Sequence, residues 1–354
     1  MSNKIVIVGD THIGIRNDSL VFHGYFRKYY EWFFGQMKDR GINTLIQLGD
    51  WHDRKKYSNF NSLHLSEEYF FNPLIENGFT AYILAGNHDV SFKNTNKVNS
   101  LDTYLTKFSN IHVVTQDVET ININGMNCDF YPWINEENYK TSIEYAKNST
   151  SKYSFGHFEF NNFDMSRGHT CSEGMDHRLF KRYEKVFSGH YHTYSTKDNI
   201  IYTGTPYELN WSDYNDQKYV FILDLDTGEI EYLPTPYTMH AKLTYDDKND
   251  NTTDLTAIDI KDKYVKIVVA NKENFYDFDK YLSAVNHLGA AEVKVIEENI
   301  REMVESVEDE SLCFDDTPTL MESYINSIED LAEDRKLKLQ SLMKQLYVEA
   351  SNAC

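Results

Sequence analysis

The segment KIVIVGDTH, from Lys4 to His12, joins a short apolar run to a glycine and two potential metal-binding side chains. The run is rich in β-branched residues, which favour a strand, and Gly9 allows the backbone to turn sharply where that strand ends. Asp10 and His12 follow at the carboxyl end, where α/β proteins assemble their sites. The segment therefore predicts a strand that presents a carboxylate and an imidazole.

The same pattern of strand, glycine and ligand recurs four more times, after the runs NTLIQL, TAYILA, SKYSF and EKVFS. Longer helical stretches separate these runs, which predicts a layered α/β domain over residues 1–233. The candidate ligands of all five segments are Asp10, His12, Asp50, Asn87, His157, His190 and His192. Together they predict a metal site at the carboxyl ends of the strands.

The mixture of imidazole, carboxylate and amide oxygen in this set suits manganese, iron or zinc, whereas magnesium and calcium prefer oxygen alone. Seven ligands exceed what one ion needs, so a bridging carboxylate and two metals are expected. Such a pair clamps a phosphoryl group and activates a bridging water, the expected nucleophile. His88, with Asp89 beside it, is a candidate general acid or stabiliser of developing negative charge.

The net charge of −20 argues against extended contact with nucleic acid, but the stretch Glu297 to Asp316 concentrates acid with Arg301 as its single basic residue. Basic side chains follow the first three motifs, and a local patch is enough to neutralise phosphates. The predicted DNA contacts are Arg16, Arg54, Lys55, Lys56, Lys93 and Lys97. The alternative is that these are ordinary solvated loop charges.

The four cysteines form no CxxC pair, which indicates neither a disulfide framework nor a zinc ribbon and fits a reducing cytoplasm. No apolar stretch approaches the roughly 20 residues of a membrane helix, so we expect a soluble protein with no membrane partner. Aromatic-rich helices are predicted over Leu20 to Lys38 and Asn61 to Asn77, with their aromatic stripes in the core.

A compact β-α-β pattern follows the first domain: YVKIVVA, a helix near Phe275 to Leu288, and EVKVIE. It predicts a second domain over residues 234–300, followed by an acidic linker over 301–316. Residues 317–354 are predicted to form helices with an apolar stripe. That stripe either docks on a partner or packs back on its own domain.

The motifs GDTH, GDWHD, GNHD, GHFE and GHYH resemble those of the calcineurin-like metallophosphoesterases. Within them, TGTPYEL at Thr203 to Leu209, the β-α-β segment and the tail segments TLMESYINSI and QLYVEA are similar to the SbcD-type recombination and repair nucleases, especially their bacteriophage members. The resemblance implies a four-layer αββα sandwich with a small β-α-β capping domain and C-terminal helices. It also implies two Mn²⁺, with Fe, Zn or Mg as alternatives.

The resemblance further assigns roles to the candidate residues. Asp10, His12, Asp50 and His192 would hold one metal, and Asp50, Asn87, His157 and His190 the other, with Asp50 bridging and His88 catalytic. Cellular members carry a further histidine three residues after the bridging aspartate. This chain has Asp53 at that position and His52 one residue earlier, so neither is assigned to catalysis.

The implied function is a Mn-dependent DNA nuclease with 3′–5′ exonuclease and single-strand endonuclease activity in recombination and repair. It would act on double- and single-stranded DNA in the cytoplasm, or the host cytoplasm if phage-encoded. The implied partners are an SMC-like ATPase, bound by the C-terminal helices, and a second copy bound through the nuclease domain. The alternatives are a phosphoesterase of small molecules or phosphoproteins, and a mainly structural subunit that bridges DNA ends.

Overall fold

The first strand, β1 (Lys4–Val8), is packed between two apolar layers. Ile5 and Ile7 contribute to one hydrophobic cluster, while Val6 and Val8 contribute to another. Successive side chains of a strand point to opposite faces, and a continuous apolar run is typical of a strand that is covered on both sides. The sequence of β1 therefore specifies a central position in a layered fold.

The computed structural model describes residues 3–166, 169–297, 325 and 335–343. Its first sheet contains, from edge to edge, β16 (Ile230–Pro234), β15 (Tyr219–Asp224), β1, β2 (Thr44–Gln47), β3 (Thr80–Leu84) and β6 (Ile111–Val114). The four strands from β1 to β6 are parallel, whereas β15 runs antiparallel to β1. All five strands that precede the candidate ligands were predicted from the sequence, and three of them, β1 to β3, are neighbours here.

The second sheet contains β13 (Ser195–Lys197), β14 (Ile200–Tyr202), β12 (Lys185–Gly189), β9 (Tyr153–His157), β8 (Met126–Tyr131) and β7 (Glu119–Ile123). Its four central strands are parallel. Two short hairpins, β4 (Val90–Phe92) with β5 (Thr95–Asn99) and β10 (Asp164–Ser166) with β11 (His169–Thr170), lie outside both sheets. The remaining ligand-bearing strands, β9 and β12, are thus neighbours as well.

Three apolar clusters define the layers around these sheets. One contains residues of both sheets, such as Ile46 of β2 and Phe155 of β9, and fills the space between them. A second joins the outer face of the first sheet to helix α2 (Leu20–Asp39), and a third joins the second sheet to α6 (Tyr139–Asn148). The predicted αββα sandwich is confirmed.

Helix α2 buries nine of its side chains, seven of them Phe or Tyr. The apolar positions recur every three or four residues, which places them on one face. The prediction that this aromatic stripe belongs to the core is confirmed. Because these rings are covered within the chain, they offer no surface to a second copy, and a dimer through this domain stays a prediction.

The second predicted helix, Asn61 to Asn77, consists of three consecutive segments. They are α3 (Phe60–Ser66), a π-helical turn (Glu67–Phe71) and α4 (Asn72–Glu76). The wider π turn brings three successive aromatic residues, Tyr69, Phe70 and Phe71, into the core, which the α period does not allow. The helical prediction is confirmed, and the structure adds a π-helical turn in its middle.

The short turn α1 (Ile15–Asp18) is left-handed, with φ of +50°, +62° and +60° at Arg16, Asn17 and Asp18. Such backbone costs about 1–2 kcal/mol per residue for ordinary side chains. Asp18 offsets part of this cost, because its carboxylate accepts hydrogen bonds from Arg54 at 3.0 Å and Ser62 at 2.5 Å. One further short helix, α5 (Ser100–Tyr104), follows β5.

A third sheet contains β17 (His240–Asp246), β18 (Tyr264–Asn271) and β19 (Glu292–Glu297), with α7 (Phe275–His287) between the last two. The predicted β-α-β elements are confirmed. The sequence prediction did not include β17. The domain boundaries proposed from the sequence stay a prediction.

The chain divides into two compact units. One comprises Met1–Leu243, Thr253–Lys266 and Asn274–Lys294, and the other Thr244–Thr252, Ile267–Glu273 and Val295–Cys354. The predicted acidic linker, 301–316, lies outside the described residues, as does most of the predicted tail, 317–354. Residues 335–343 are helical. Within the described ranges, no helix combines the length and apolar character needed to cross a membrane.

Candidate metal centre

Five loops meet at the carboxyl ends of β1, β2, β3, β9 and β12. The first three strands are parallel neighbours in one sheet, and the last two are parallel neighbours in the other. Their following residues therefore share one edge of the sandwich. All seven candidate ligands are at most 8% exposed: Asp10, His12, Asp50, Asn87, His157, His190 and His192.

Two of the preceding glycines are required by the close packing of these loops. A Cβ at Gly86 would lie 2.2 Å from Asp50 Oδ1, and a Cβ at Gly49 would lie 2.5 Å from His157 Nδ1. Gly49 also has φ of +101°, which strains any other residue. Glycine at these positions thus lets ligands from separate strands approach one another.

The first group of side chains consists of Asp10, His12 and His192, whose potential ligand atoms lie within 4.8 Å of one another. His192 Nε2 is 3.9 Å from Asp10 Oδ2. The backbone N–H of His190 donates to both carboxylate oxygens of Asp10 at 3.0 Å. This hydrogen bond orients Asp10 between the loops of the two sheets.

The second group consists of Asp50, His157 and His190, with the same spacing limit. Asn87 Oδ1 lies 3.0 Å from both His157 Nε2 and His190 Nδ1. The other ring nitrogen of His157 donates to the carbonyl oxygen of Leu48 at 2.8 Å. That hydrogen bond places the lone pair of a neutral His157 ring on Nε2, toward Asp50 and Asn87.

Asp50 lies between the two groups. Its Oδ2 is 3.8 Å from His12 Nε2 and 3.4 Å from His157 Nε2, and its Oδ1 accepts the backbone N–H of His88 at 2.7 Å. Asp50 also has φ of +52°, a conformation uncommon outside glycine. Strained backbone of this kind clusters at functional sites.

Main-chain hydrogen bonds join the loop after β1 to the loop after β2. The N–H groups of Thr11 and His12 donate to the carbonyl of Asp50 at 3.1 and 3.0 Å, and the N–H of Ile13 donates to Trp51 at 2.8 Å. The N–H of Asp53 then donates back to Ile13 at 3.0 Å. The two loops therefore continue the parallel sheet beyond its strands and hold their side chains at a set spacing.

The buried atoms at this centre that receive no hydrogen bond within the described part of the chain include His12 Nε2 and Asp50 Oδ2. Leaving buried polar atoms unsatisfied costs about 1–3 kcal/mol each. A divalent cation would satisfy them, and a nitrogen and oxygen ligand set suits manganese, iron or zinc. The residues present therefore fit a metal.

The charges of the centre lead to the same conclusion. Burial raises the pKa of the Asp10 carboxyl, and attraction to His157 only partly opposes it. Burial acts on Asp50 too, but His157 and His88 outweigh it and hold the pKa of Asp50 well below its usual value. Two neighbouring buried carboxyl groups resist ionising together, and a cation between them would stabilise both charges.

Residues 3–221 match the family model described as Calcineurin-like phosphoesterase. The chain belongs to the calcineurin-like phosphoesterase family. As a member of this family, it is a metal-dependent phosphoesterase, and the Asp and His groups described above are its candidate metal-binding sites.

Two relatives of this calcineurin-like phosphoesterase extend over nearly its whole length. Exonuclease subunit 1 of Enterobacteria phage T4 is 31% identical, over 98% of this chain and 99% of that one. The SbcD component of the nuclease SbcCD from Staphylococcus saprophyticus is 21% identical, over 98% of this chain and 100% of that one. Among solved structures, GAP50 of Plasmodium has a TM-score of 0.39 at 12% identity, covering 66% of this chain and 89% of that chain, which is too low to add to these findings.

His88, the candidate catalytic residue of this calcineurin-like phosphoesterase, borders both groups. Its ring centroid is 4.9 Å from that of His12, and its Nδ1 donates to the carbonyl oxygen of Asp53 at 2.6 Å. A carbonyl only accepts, so Nδ1 carries a proton, and Nε2 bears the lone pair of a neutral ring. Burial lowers the pKa of His88, and attraction to Asp50 only partly opposes this effect.

Asp89 does not serve His88, although it is next to it in sequence. Its buried carboxylate accepts the backbone N–H groups of Gly86, Trp51 and His52 at 3.0, 3.1 and 3.0 Å. It thereby joins the loop after β3 to the loop after β2. The GNHD motif thus contains, in consecutive positions, the candidate ligand Asn87, the candidate acid His88, and Asp89, which joins two loops by hydrogen bonds.

Several predicted DNA contacts are engaged within the chain. Arg54 pairs with Asp18 and lies over the Tyr57 ring at 4.9 Å, Arg16 lies over the Tyr264 ring at 4.7 Å, and Lys97 pairs with Glu137. Lys55 is partly buried, whereas Lys56 and Lys93 are exposed. Arg16 and Lys97 are exposed as well, but their charged groups already make the contacts given above.

The sequence analysis missed residues that contact the backbone of the loop carrying the candidate ligand His192. Lys218 is 4% exposed and donates to the carbonyl of His192 at 2.8 Å, to Asp213 at 2.6 Å and to Asp216 at 2.7 Å. No motif marks these positions. The sequence does place two aspartates, Asp213 and Asp216, close to Lys218 in the segment SDYNDQK.

Proposed function

We propose that this calcineurin-like phosphoesterase is a nuclease that hydrolyses phosphodiester bonds in DNA with two Mn²⁺. In this proposal Asp10, His12 and His192 hold one ion, Asn87, His157 and His190 hold the other, and Asp50 bridges them. It acts as a 3′–5′ exonuclease and single-strand endonuclease in recombination and repair.

The position of Asp50 is the observation that carries this proposal. Its Oδ2 has an imidazole nitrogen from each group within 3.8 Å and receives no hydrogen bond from the described residues. A carboxylate oxygen in that position is suited to contact both ions at once. Two divalent cations held in this way polarise a phosphoryl oxygen and lower the pKa of water, which is the chemistry they supply when bound.

The chain's own residues orient the substrate and manage protons. The ring of His88 donates from Nδ1 to the carbonyl of Asp53, and the backbone N–H of His88 donates to the carboxylate of Asp50. These two contacts set the direction of Nε2. When protonated, Nε2 would donate to a phosphate oxygen on which negative charge develops. His88 thus contributes positioned hydrogen bonding and proton transfer at one atom.

The DNA substrate is favoured over a small molecule by the two relatives. Both are named as parts of nucleases, and both align with this chain from end to end rather than over the phosphoesterase domain alone. The exposed lysines Lys56 and Lys93 follow the second and third motifs, where a bound backbone would pass. Positive charge on these loops offsets locally the acidity of the whole chain.

A nuclease assay tests the proposal. Purified protein with Mn²⁺ would be given 3′-labelled linear duplex DNA, circular single-stranded DNA and a small chromogenic phosphodiester. We expect cleavage of both DNAs, loss of cleavage on His88→Ala, and retention of cleavage on His64→Ala, a histidine whose side chain is 67% exposed. Cleavage of the small diester while both DNA substrates stay uncleaved would favour a small-molecule enzyme. Normal DNA cleavage by His88→Ala would exclude the catalytic role of His88.

We further propose an SMC-like ATPase as partner, bound by the C-terminal helices. Within helical residues 335–343, Leu337 and Leu342 are 65% and 52% exposed, which supports docking of apolar side chains on another protein. Deleting the residues after Asp316 should abolish co-purification with the ATPase and leave Mn²⁺-dependent cleavage of single-stranded DNA. A complex that survives the deletion would favour packing of the tail on its own domain.

A further inference from the structure

Asp53 contacts two functional imidazoles through different atoms. Its side-chain Oδ1 lies 3.4 Å from His12 Nδ1, while its backbone oxygen accepts from His88 Nδ1 at 2.6 Å. The side chain of Asp53 is 25% exposed, whereas that of His12 is 4% exposed. Asp53 thus forms one wall of the centre, between the buried ring of His12 and solvent.

His12 lies between two carboxylates. Its Nδ1 faces Asp53, and its Nε2 faces Asp50 Oδ2 at 3.8 Å. A neutral imidazole carries one proton, and a carboxylate beside Nδ1 favours the form with that proton on Nδ1. The lone pair is then on Nε2, directed at the centre, and the neighbouring negative charge makes it a stronger ligand.

The placement of Asp53 relative to His12 is set by the main chain. Its N–H donates to Ile13, and the N–H of His12 donates to Asp50, so both residues belong to the same extension of the parallel sheet. The rings of His12 and His88 meet edge to face at 85°. Because the sheet fixes the backbone of Asp53, its side chain loses little conformational entropy when it orients His12.

We infer that Asp53 is a positioning residue, whose carboxylate orients His12 for metal binding and whose carbonyl orients His88. The inference rests on the proposed dimetal site. A substitution of Asp53 removes its carboxylate, which contacts His12, and leaves its backbone carbonyl, which contacts His88. Side-chain variants should therefore weaken metal binding without removing the function of His88.

The first measurement is binding of Mn²⁺ alone, by calorimetry and electron paramagnetic resonance, to the full chain and to Asp53→Ala and Asp53→Asn. We expect affinity for one ion to fall about 10–100-fold in Asp53→Ala. Asp53→Asn should have an intermediate effect, since it keeps an acceptor oxygen and loses the charge. Asp198→Asn is the matched control, because Asp198 pairs with His177 Nε2 at 2.9 Å outside the centre.

The second measurement is cleavage as a function of Mn²⁺ concentration. Asp53→Ala should regain most of its activity at high Mn²⁺, whereas His88→Ala should not. If Asp53→Ala does not fold, as judged by circular dichroism, Asp53→Asn provides the same comparison.

Unchanged Mn²⁺ affinity in a folded Asp53 variant would overturn the inference and leave the dimetal proposal intact. Loss of one bound Mn²⁺ from the stoichiometry, rather than a lower affinity, would overturn it in favour of a ligand role, since His12, Asp53 and His88 also lie within 4.8 Å of one another. Failure of the unsubstituted chain to bind Mn²⁺ would overturn both.

Discussion

The ammonium group of Lys218 donates to the carbonyl oxygen of His192 at 2.8 Å. Burial lowers the pKa of Lys218, but Asp213 and Asp216 outweigh it and raise the pKa above its usual value, so the group stays charged. A buried lysine thus holds the loop that carries the last candidate ligand. The positive charge of Lys218 and its three hydrogen bonds both stabilise this loop.

Replacing Lys218 by methionine should lower the free energy of unfolding by about 3–5 kcal/mol, because Asp213, 1% exposed, would keep a buried charge without its partner. Lys28→Met is the control, since Lys28 and Asp262 are 59% and 58% exposed, and such pairs contribute at most about 1 kcal/mol. Urea unfolding of both variants measures the difference. Equal losses would contradict the role assigned to Lys218.

Gly86→Ala should disrupt the centre, because the new Cβ would lie 2.2 Å from Asp50 Oδ1 and 2.3 Å from Asp50 N. We expect at least a tenfold loss of Mn²⁺ affinity, measured by calorimetry. Gly24→Ala is the control: it lies inside α2 with open space around it and should stabilise the fold by about 0.5–1 kcal/mol. Retained Mn²⁺ affinity in Gly86→Ala would show that the loops adjust more freely than their packing indicates.

Mn²⁺ should raise the melting temperature, because an ion that binds only the folded chain stabilises it by about 2.7 kcal/mol at a hundredfold excess over Kd. Asp50→Asn should abolish most of the shift, since the candidate bridging charge is removed. His64→Ala should keep the full shift. Scanning calorimetry with and without Mn²⁺ makes the comparison, and a full shift in Asp50→Asn would argue against bridging.

Substituting Lys56 and Lys93 together by glutamine should weaken DNA binding and reduce the salt dependence of its affinity. Each lost phosphate contact reduces the slope of log K against log salt by about 0.9 for duplex DNA. Lys147→Gln on α6 serves as the control. Fluorescence anisotropy at several salt concentrations measures the slopes, and an unchanged slope would remove these lysines from the DNA surface. Arg54 is a poor choice for this test, because its loss would also release Asp18.

The strands and candidate ligands were predictable because their signals are local. A β-branched run, a glycine and a metal-binding side chain are adjacent in sequence, and parallel strands bring such segments to one edge. The role of Asp89 was not predictable in this way. Its partners are the backbone N–H groups of Trp51 and His52, about forty residues away in sequence. Every residue except proline has such a group, so the identity of these residues does not indicate the contact.

The π-helical turn shows the same limit at the level of an element. The aromatic content of residues 60–76 predicts a buried helix, but the change of period arises because Tyr69, Phe70 and Phe71 must all reach the core. Lys218 is a further example, since a lysine is expected on the surface and becomes buried only when two aspartates and a carbonyl surround it.

The hydrogen bonds that join the loop after β1 to the loop after β2 belong entirely to the main chain. Side-chain substitutions other than proline leave such bonds in place. Sequence drift in these loops therefore changes the surface offered to a substrate without changing the spacing of Asp10, His12 and Asp50. For protein engineering, residues 55–58, which lie between Arg54 with its contact to Asp18 and the N-cap Asn59 of α3, form a segment where new specificity can be introduced beside a reaction centre that keeps its own alignment.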